Sequence, residues 1–376
     1  MDKHLLILST SFWYNPHVFN FFGFGQKTYL GIDIGTASIK IAELSKEKGR
    51  PKLENYAILE SYKFLDVLTD DSAMTNRSRR VFGGEATEMI KRLIGKANIA
   101  VKETNMAVPI FSSFLTVMDL PMMNETELAQ AVQFEARKYV PVSLEQLVID
   151  WNLIGQTPPT ANDQGHLQVL LVAIPRELID EYVDTARNTG LAVSAIELET
   201  VSATRALMGS DPTPTVILDV GARDTTISIV DQGFLRISHS IETSSEDLTR
   251  VLSKALNISL RRAEELKRER GVAVIREESE VASVILPLLD IISSSIQQII
   301  DLHHSKTQRK IEKLIMYGGA ANMPGLAEYF SKKLKIDITY ANPFSRIIYP
   351  QKLEPIIKKI GSELAIALGL ALRDMQ

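Results

Sequence analysis

Two stretches of the chain share one pattern of apolar and polar positions. In residues 29–44, an apolar run carries one carboxylate, Asp33, directly before a turn of small residues, and a second run then alternates apolar residues with Lys40. Residues 215–230 repeat this order, with Asp219 before a glycine turn of their own. Such runs are typical of strands joined in a tight hairpin. Two similar hairpins in one chain predict two similar lobes that face a shared cleft.

The turns of both predicted hairpins have little side chain, so their backbone N–H groups can come close to an anion. Hydroxyl groups and an ammonium near the turns add donors for phosphate oxygens. The candidate phosphate ligands are Gly35, Thr36, Ala37, Ser38 and Lys40 in the first stretch and Gly221, Ala222 and Thr225 in the second. Asp33 would repel a phosphate, which suggests a bridging divalent cation. Taken alone, either stretch also fits an ordinary hairpin with a glycine turn.

A third stretch, residues 313–330, has the pattern of a strand, a double-glycine turn and a helix. Its Gly318, Gly319 and Ala320 would let a flat group such as adenine or ribose lie against the backbone. Together the three stretches resemble the phosphate 1, phosphate 2 and adenosine motifs of the actin, Hsp70 and hexokinase superfamily. The resemblance implies an α/β, actin-like (ribonuclease H-like) two-lobe ATPase fold that binds ATP with Mg²⁺. Asp33 and Asp219 would then be the metal residues.

Composition excludes several other classes of protein. The chain is 45% apolar and 23% charged with a formal net charge of −4, which is typical of a globular protein without a strong nucleic-acid-binding field. It has no cysteine, so disulfides, thiolate catalysis and cysteine-based zinc sites are excluded. Uninterrupted apolar runs stay shorter than the roughly 18 residues of a membrane-spanning helix. We therefore predict no transmembrane segment.

The remaining periodicity indicates how the chain is divided. Between the two hairpins, residues 112–195 show the order β-α-β-β-α, which predicts a compact inserted α+β subdomain. The aromatic-rich first residues either pack on the protein or a membrane surface, or result from the choice of start site. The predicted parts are an N-terminal tail 1–26, lobe IA 27–111 completed by a C-terminal helix 361–376, the inserted subdomain 112–195, and lobe II 196–360.

The inserted region carries a narrower resemblance. Leu120-Pro121, Glu125, Leu128 and the run E-A-R-K-Y-V-P ending at Pro141 resemble the type IV pilus assembly PilM family, relatives of the division protein FtsA. This implies a cytoplasmic ATP-binding scaffold of a type IV pilus, or a related type II secretion machine, at the inner face of the cytoplasmic membrane. It also implies that the N-terminal cytoplasmic peptide of a PilN-like membrane protein docks between lobe IA and the inserted subdomain. Residues 111–121 and 126–139 are the candidate groove.

Two other functions use the same fold. An FtsA-like filament-forming division protein is the main alternative, although the basic amphipathic membrane helix that ends FtsA proteins is missing after the predicted buried helix here. A metabolic kinase would need a sugar pocket, for which the sequence has no motif. One departure from the PilM pattern is that Thr243-Ser244-Ser245 replaces a glycine pair, which puts a close backbone approach there in doubt.

Three charged residues have candidate roles. By resemblance to the superfamily, Glu199 would orient the metal or the attacking water, and a helix N-terminal acid is the other interpretation. Glu264 and Lys267, at i and i+3 on a predicted helix, would bond ribose and adenine, or else form a surface ion pair. Any ATPase activity is expected to be weak. His303 and His304 lack a third metal ligand nearby in the sequence, so a solvated helix is predicted there.

Overall fold

Two five-stranded sheets of identical topology form the two lobes. The computed structural model describes residues 27–61, 84–140, 142–157, 164–273 and 280–375, and the predicted N-terminal tail lies outside these residues. The first sheet has the strand order β3-β2-β1-β4-β8 and the second β11-β10-β9-β12-β13. In both, three antiparallel strands are followed by two parallel ones. The two-lobe prediction is therefore confirmed.

The strands of the first sheet are β1 (Thr28–Ile34), β2 (Ser38–Glu47), β3 (Arg50–Glu60), β4 (Glu103–Val108) and β8 (Ala192–Leu198). Those of the second sheet are β9 (Thr215–Val220), β10 (Thr225–Asp231), β11 (Phe234–Ile241), β12 (Lys313–Tyr317) and β13 (Asp337–Tyr340). The described helices are α1 (Gly84–Lys96), α2 (Glu125–Tyr139), α3 (Arg176–Asn188), α4 (Glu199–Leu207), α5 (Ser245–Leu256), α6 (Leu260–Arg270), α7 (Glu280–Thr307), α8 (Leu326–Leu334), α9 (Glu354–Ile360) and α10 (Ala365–Leu372).

The inserted region forms a separate three-stranded antiparallel sheet, β5-β7-β6. Its strands are β5 (Phe114–Pro121), β6 (Leu147–Thr157) and β7 (His166–Pro175). Helix α2 covers this sheet and begins at Asn124, whose side chain forms a capping box with Glu127. Its buried residues Leu128, Val132 and Ala136 pack with the apolar side chains of β5 and β7.

The C-terminal boundary predicted for the inserted subdomain is corrected by the sheet pairing. Strand β8 pairs in parallel with β4, so a boundary at residue 195 would fall inside a strand of the first sheet. Helix α3 contacts β8 and α1. It is therefore the crossover that a parallel β4–β8 connection requires, and the inserted sheet itself ends at Pro175.

The C-terminal helix α10 is buried along its whole length against the first sheet. It packs on β1, β2 and α4. The approach is so close that a Cβ atom on Gly369 would overlap the carbonyl oxygen of Ser202, and one on Gly31 would overlap that of Ala367. Only glycine fits at these two contacts. Helix α10 therefore packs as part of the first lobe.

A buried ion pair joins β8 to α4, and its arginine also bonds to α10. The Glu197 carboxylate is fully buried and accepts from Arg205 Nη1 at 2.5 Å and Nη2 at 2.8 Å. Arg205 Nη1 also donates to the carbonyl oxygen of Gly369 at 2.8 Å. Burial lowers the pKa of Arg205, but the Glu197 carboxylate more than offsets this and the pKa ends above its usual value. The guanidinium therefore stays charged inside the lobe.

The long helix α7 belongs to the core of the second lobe. By length and composition alone it could cross a membrane, as many core helices could. Its buried side chains include Ile285, Leu289, Ile292 and Ile296, which pack with α5, α8 and the second sheet. Polar residues on the outer face of α7 interrupt its apolar runs in the sequence. The apolar helix is therefore longer than any single uninterrupted run indicated.

The prediction of a solvated helix at His303 is wrong. His303 is only 1% exposed, and its Nε2 lies 3.1 Å from Asp231 Oδ2. Arg309 Nη1 is 2.7 Å from the other oxygen of the same carboxylate. Burial lowers the pKa of His303, although Asp231 opposes this shift. Within the described part of the chain, no group of three metal-ligating side chains forms around it or elsewhere.

We expect Gly369→Ala to destabilise the protein by about 3 kcal/mol or more, because the new methyl group overpacks the α4–α10 contact. The matched control is Gly95→Ala in α1, where a Cβ atom meets nothing within 4 Å. This control should be neutral or stabilise the protein by up to about 1 kcal/mol. Thermal unfolding measures both. Equal melting temperatures for the two variants would contradict the tight contact.

Candidate functional site

The three predicted motifs meet at one cavity of about 440 Å³ between the lobes. Ala37 and Ser38 come from the first hairpin turn, Ala222 from the second, and Gly319 and Ala320 from the turn after β12. Strands β1, β9 and β12 all end at this cleft. Ligands of open α/β sheets bind beyond the carboxyl ends of such strands. The sequence prediction of a shared cleft is thus supported by the geometry.

The two hairpin turns have the same internal geometry. Gly35 N–H donates to the carbonyl oxygen of Ser38 at 3.0 Å, and Gly221 N–H donates to that of Asp224 at 3.1 Å. The carboxylates also correspond, because Asp33 is paired with Lys40 across its hairpin and Asp219 with Thr226 across the other. The repeat read from the sequence is therefore a repeat of structure. Gly35 and Thr36 lie within the first turn, beside the lining residues.

Lys40 is held by Asp33 rather than by solvent. Its Nζ lies 3.0 Å from Asp33 Oδ2, and the carboxylate is 1% exposed. Burial lowers the pKa of Lys40, but the adjacent Asp33 carboxylate outweighs this and raises the pKa above its usual value. The second oxygen, Asp33 Oδ1, is buried and has no hydrogen-bond partner among the described residues. A water or cation ligand would satisfy it.

Negative charge accumulates on the second side of the cleft. Burial raises the pKa of Asp219 well above its usual range, and the charges of Glu199 and Asp224 raise it further. Burial and the charge of Asp219 likewise raise the pKa of Tyr317 well above its usual range. Gly318, at φ +95°, lies so close that a Cβ atom would overlap Asp219 Oδ1. Such a site favours a cation between the carboxylates.

The protein side chains would supply only part of the coordination of a magnesium ion, and a phosphate ligand and water would have to supply the rest. In the described ranges, no three His, Asp or Glu side chains lie close enough together to hold a metal. Mg²⁺ typically keeps several waters and takes one or two carboxylates together with phosphate oxygens. The predicted pair of Asp33 and Asp219 is compatible with that mode. Glu199 begins α4 at the end of β8, half-buried, and its charge acts on Asp219.

The predicted adenosine-side residues line the cavity, but they are firmly bound to one another. Lys267 is 3% exposed, and its Nζ lies 2.6 Å from Glu264 Oε2. The same ammonium donates to Thr249 Oγ1 at 2.8 Å and to the Ser245 carbonyl oxygen at 2.9 Å. Burial lowers the pKa of Lys267 despite Glu264. The pair is therefore no surface ion pair. It is a buried part of the cavity wall.

One predicted phosphate ligand points elsewhere. Thr225 is fully buried, and its hydroxyl donates to the carbonyl oxygen of Thr243 at 2.7 Å. Its side chain therefore fixes the entry to α5, because the strand alternation turns it into the protein. Thr243-Ser244-Ser245, which replaces the glycine pair of the PilM pattern, has a structural role. Ser244 caps α5, and Ser245 Oγ accepts a hydrogen bond from Lys267.

Several lining residues belong to none of the predicted motifs, among them Glu60, Ser61, Arg261, Arg268, Asn322 and Glu363. Glu60 ends β3 in the first lobe and Arg268 lies on α6 in the second. Arg268 Nη1 is 3.5 Å from Glu60 Oε1, so this ion pair bridges the two lobes beside the cavity. Both side chains are more than half exposed, so the bridge itself adds little stability. Only the folded chain brings these residues together.

A second cavity, of about 570 Å³, lies between the inserted subdomain and lobe II. One wall consists of Phe114, Leu115 and Thr116 of β5 with Tyr139 and Val140 at the end of α2. The opposite wall is formed by β11 from Ser238 and by the start of α5. Part of the predicted peptide groove lines this cavity. Ile110 and Phe111, at the end of lobe IA, also line this cavity, but the wall opposite β5 comes from lobe II, whereas a groove between lobe IA and the inserted subdomain was predicted.

Comparison with known proteins gives the family. The sequence model described as type IV pilus assembly protein PilM matches residues 31–375. The chain belongs to the PilM family. A solved structure of a PilM-PilN type IV pilus biogenesis complex is similar with a TM-score of 0.77 and 22% identity, over 93% of this chain and 98% of that chain.

More distant relatives support the fold. The cell division protein FtsA of Streptococcus pneumoniae is 22% identical over 80% of this chain and 72% of its own length. The structure of MreB5 of Spiroplasma citri bound to ADP has a TM-score of 0.50 and 13% identity, over 91% of this chain and 94% of that chain. The fold is actin-like, as predicted, with mixed α/β sheets in both lobes.

We expect Lys40→Met to lower the free energy of unfolding by about 3–5 kcal/mol, because it leaves the Asp33 carboxylate buried without a cation. The double variant Asp33→Asn with Lys40→Met removes both charges and should recover most of the loss. Urea unfolding followed by circular dichroism measures both. A double variant no more stable than Lys40→Met would contradict this account of the pair.

Proposed function

We propose that this chain is an ATP-binding scaffold of a type IV pilus, or a related type II secretion machine, that works at the inner face of the cytoplasmic membrane through a PilN-like partner. The carrying observation is the meeting of all three nucleotide motifs at one cavity between two lobes of the same topology. Membership of the PilM family and the nucleotide in the MreB5 structure support it.

The cavity fits a nucleotide with Mg²⁺. The turns at Ala37, Ala222 and Gly319 leave room for phosphates and a flat base against the backbone. Lys40, Ser38 and the turn N–H groups would bind the phosphates, and Asp33 and Asp219 would hold the cation together with phosphate and water. The bound cation would supply charge neutralisation at the phosphates. Asp33 Oδ1, buried without a partner in the described structure, is the atom that such a ligand would satisfy.

Glu199 is the first residue of α4 and follows directly after β8. We assign it the role of orienting water or the cation's water shell near the phosphates. Its charge already acts on Asp219 across the cleft.

The larger cavity is our site for the partner's peptide. Its β5 wall and the end of α2 belong to the segments that the sequence marked as the groove. Phe111 and Tyr139 line this cavity and are 40% and 47% exposed, so they offer apolar surface to a peptide. The similar solved structure is a complex of a PilM protein with PilN. A peptide here would join the inserted subdomain to lobe II.

The nucleotide site is tested with Gly319→Val. A Cβ atom at Gly319 meets nothing within 4 Å, so the larger side chain would fill the cavity without displacing protein atoms. We expect at least a tenfold weaker affinity for Mg-ATP in calorimetry. The control Gly95→Val adds the same group at a site that is equally open. Unchanged ATP affinity of Gly319→Val at unchanged melting temperature would overturn the assignment.

The peptide site is tested with Thr116→Arg, which places a bulky charge on the β5 wall. Titration with the N-terminal peptide of a PilN-like membrane protein should show at least a tenfold loss of affinity, while Mg-ATP still binds. Ser294→Arg on the exposed face of α7 is the control. If Thr116→Arg binds the peptide as tightly as the control does, the peptide lies elsewhere.

A further inference from the structure

The hairpin of β2 and β3 projects past the first sheet at the place where β1 begins. Thr28, the first residue of β1, pairs with Ser45 of β2, and Ser45 pairs in turn with Lys52 of β3. Beyond this row β2 and β3 continue to a turn at residues 48–49. A strand rises about 3.3 Å per residue, so the turn lies roughly 10 Å beyond the start of β1. The chain before Thr28 therefore joins the first lobe at the base of this projection.

The end of the hairpin, residues 46–50, is exposed, and we call it the basic tip. Lys48 and Gly49 both have positive φ, at +51° and +80°, as a type I′ hairpin turn requires. With the adjoining residues at its base, the tip carries five basic side chains against two carboxylates. The basic residues are Lys27, Lys46, Lys48, Arg50 and Lys52, and the carboxylates are Glu47 and Glu54. This local excess of positive charge belongs to a chain whose formal net charge is −4.

The neighbouring segments do not cancel this charge. Residues 345–350 lie beside the start of β3, where the backbone of Ile348 forms hydrogen bonds of 2.8 Å with Leu53 and Pro51, and they contain no Asp or Glu. On the other side of β1, strand β4 starts next to one exposed residue of each sign, Lys102 and Glu103. The base of the first sheet therefore presents a positive surface around the start of β1.

The N-terminal tail, residues 1–26, has a composition suited to a membrane surface. It holds seven of the 25 aromatic residues of the chain, namely Phe12, Trp13, Tyr14, Phe19, Phe21, Phe22 and Phe24. Asp2 and Lys3 are its only Asp, Glu, Lys or Arg residues. Aromatic side chains favour the interface between membrane and water. The aliphatic run at residues 5–8 favours lipid over single-stranded nucleic acid, because aliphatic side chains do not stack on bases.

The tail and the tip complement each other physically. A single apolar segment binds a membrane weakly and reversibly, and stable anchoring needs a second signal such as a polybasic patch. Each Lys or Arg close to an anionic leaflet raises the affinity about fivefold, and this attraction fades within a Debye length. Because the tail joins the lobe at the base of the tip, one flat surface can meet both.

We propose that the N-terminal tail and the basic tip together bind an anionic lipid surface. The aromatic side chains of the tail enter the headgroup region, and Lys46, Lys48 and Arg50 approach the headgroup phosphates. The first lobe then rests on the membrane through its β2–β3 hairpin. This goes beyond the proposed function, in which the chain reaches the membrane through its partner.

The test is flotation of the full chain with lipid vesicles in the absence of any partner protein. The vesicles consist of phosphatidylcholine alone or of phosphatidylcholine mixed with phosphatidylglycerol. We expect the protein to bind the mixed, anionic vesicles at least about fivefold more tightly than the neutral ones. Added salt should remove this difference, because it screens the charge of the tip.

The basic tip is tested with the double variant Lys48→Asn and Arg50→Gln. It removes two charges, and asparagine tolerates the left-handed backbone at position 48. We expect at least about tenfold weaker binding to anionic vesicles and unchanged binding to neutral ones. The matched control is Lys332→Gln with Lys335→Asn at the end of α8, which also removes two exposed charges, one of them at φ +55°. This control should bind like the parent protein.

The tail is tested with the double variant Phe21→Ser and Phe22→Ser. It should bind both kinds of vesicles more weakly, because the apolar contribution does not depend on lipid charge. An unchanged melting temperature shows that the fold is intact. The inference is overturned if the parent protein binds neither kind of vesicle, if the tip variant binds like its control, or if the tail variant binds like the parent. Displacement of the vesicles by a single-stranded oligonucleotide would also overturn it. In each case the proposed function stands, since it does not depend on lipid binding.

Discussion

The close packing of α10 against β1 and α4 is the constraint on which the first lobe depends. Glycine at positions 31 and 369 lets helix backbone come within contact distance of strand and helix backbone. The buried Glu197–Arg205 pair then fixes α4 in place, with a further bond to the Gly369 carbonyl oxygen. Since Glu199 begins α4 and Asp33 is the next-to-last residue of β1, this packing sets where both carboxylates lie in the cleft.

The duplicated hairpin explains why several carboxylates lie together in the cleft. Each lobe brings one carboxylate to the end of its first strand, but only the first lobe pairs it with a lysine. The unpaired second side raises the pKa of Asp219 through burial and neighbouring negative charge. This asymmetry leaves the cleft short of positive charge. A cation that arrives with a phosphate ligand corrects the imbalance, which is the physical basis of the proposed nucleotide site.

The inserted subdomain adds a second cavity to the actin-like fold. It places β5 and the end of α2 on one wall of the larger cavity, opposite β11 and the start of α5. The proposed nucleotide site and the larger cavity are neighbours, because the inserted subdomain follows β4 and lies against lobe II.

The local pattern determined much of this protein. Both hairpins, the two-lobe cleft and the order of the inserted elements could be predicted from local features. These features are Asp33 and Asp219 before small-residue turns, the glycines after β12 and the alternation of apolar residues. Hydrophobic period and turn chemistry are local properties, so they can be read along the chain. Tertiary structure alone decided the rest. These features depend on partners that are distant in sequence: the Glu60–Arg268 ion pair, the burial of Lys267 and His303, the inward orientation of the Thr225 side chain, and the position of β8 in the first sheet. Whether a polar side chain faces solvent, a cavity or a buried partner is fixed only when elements pack, because the same sequence pattern fits all three.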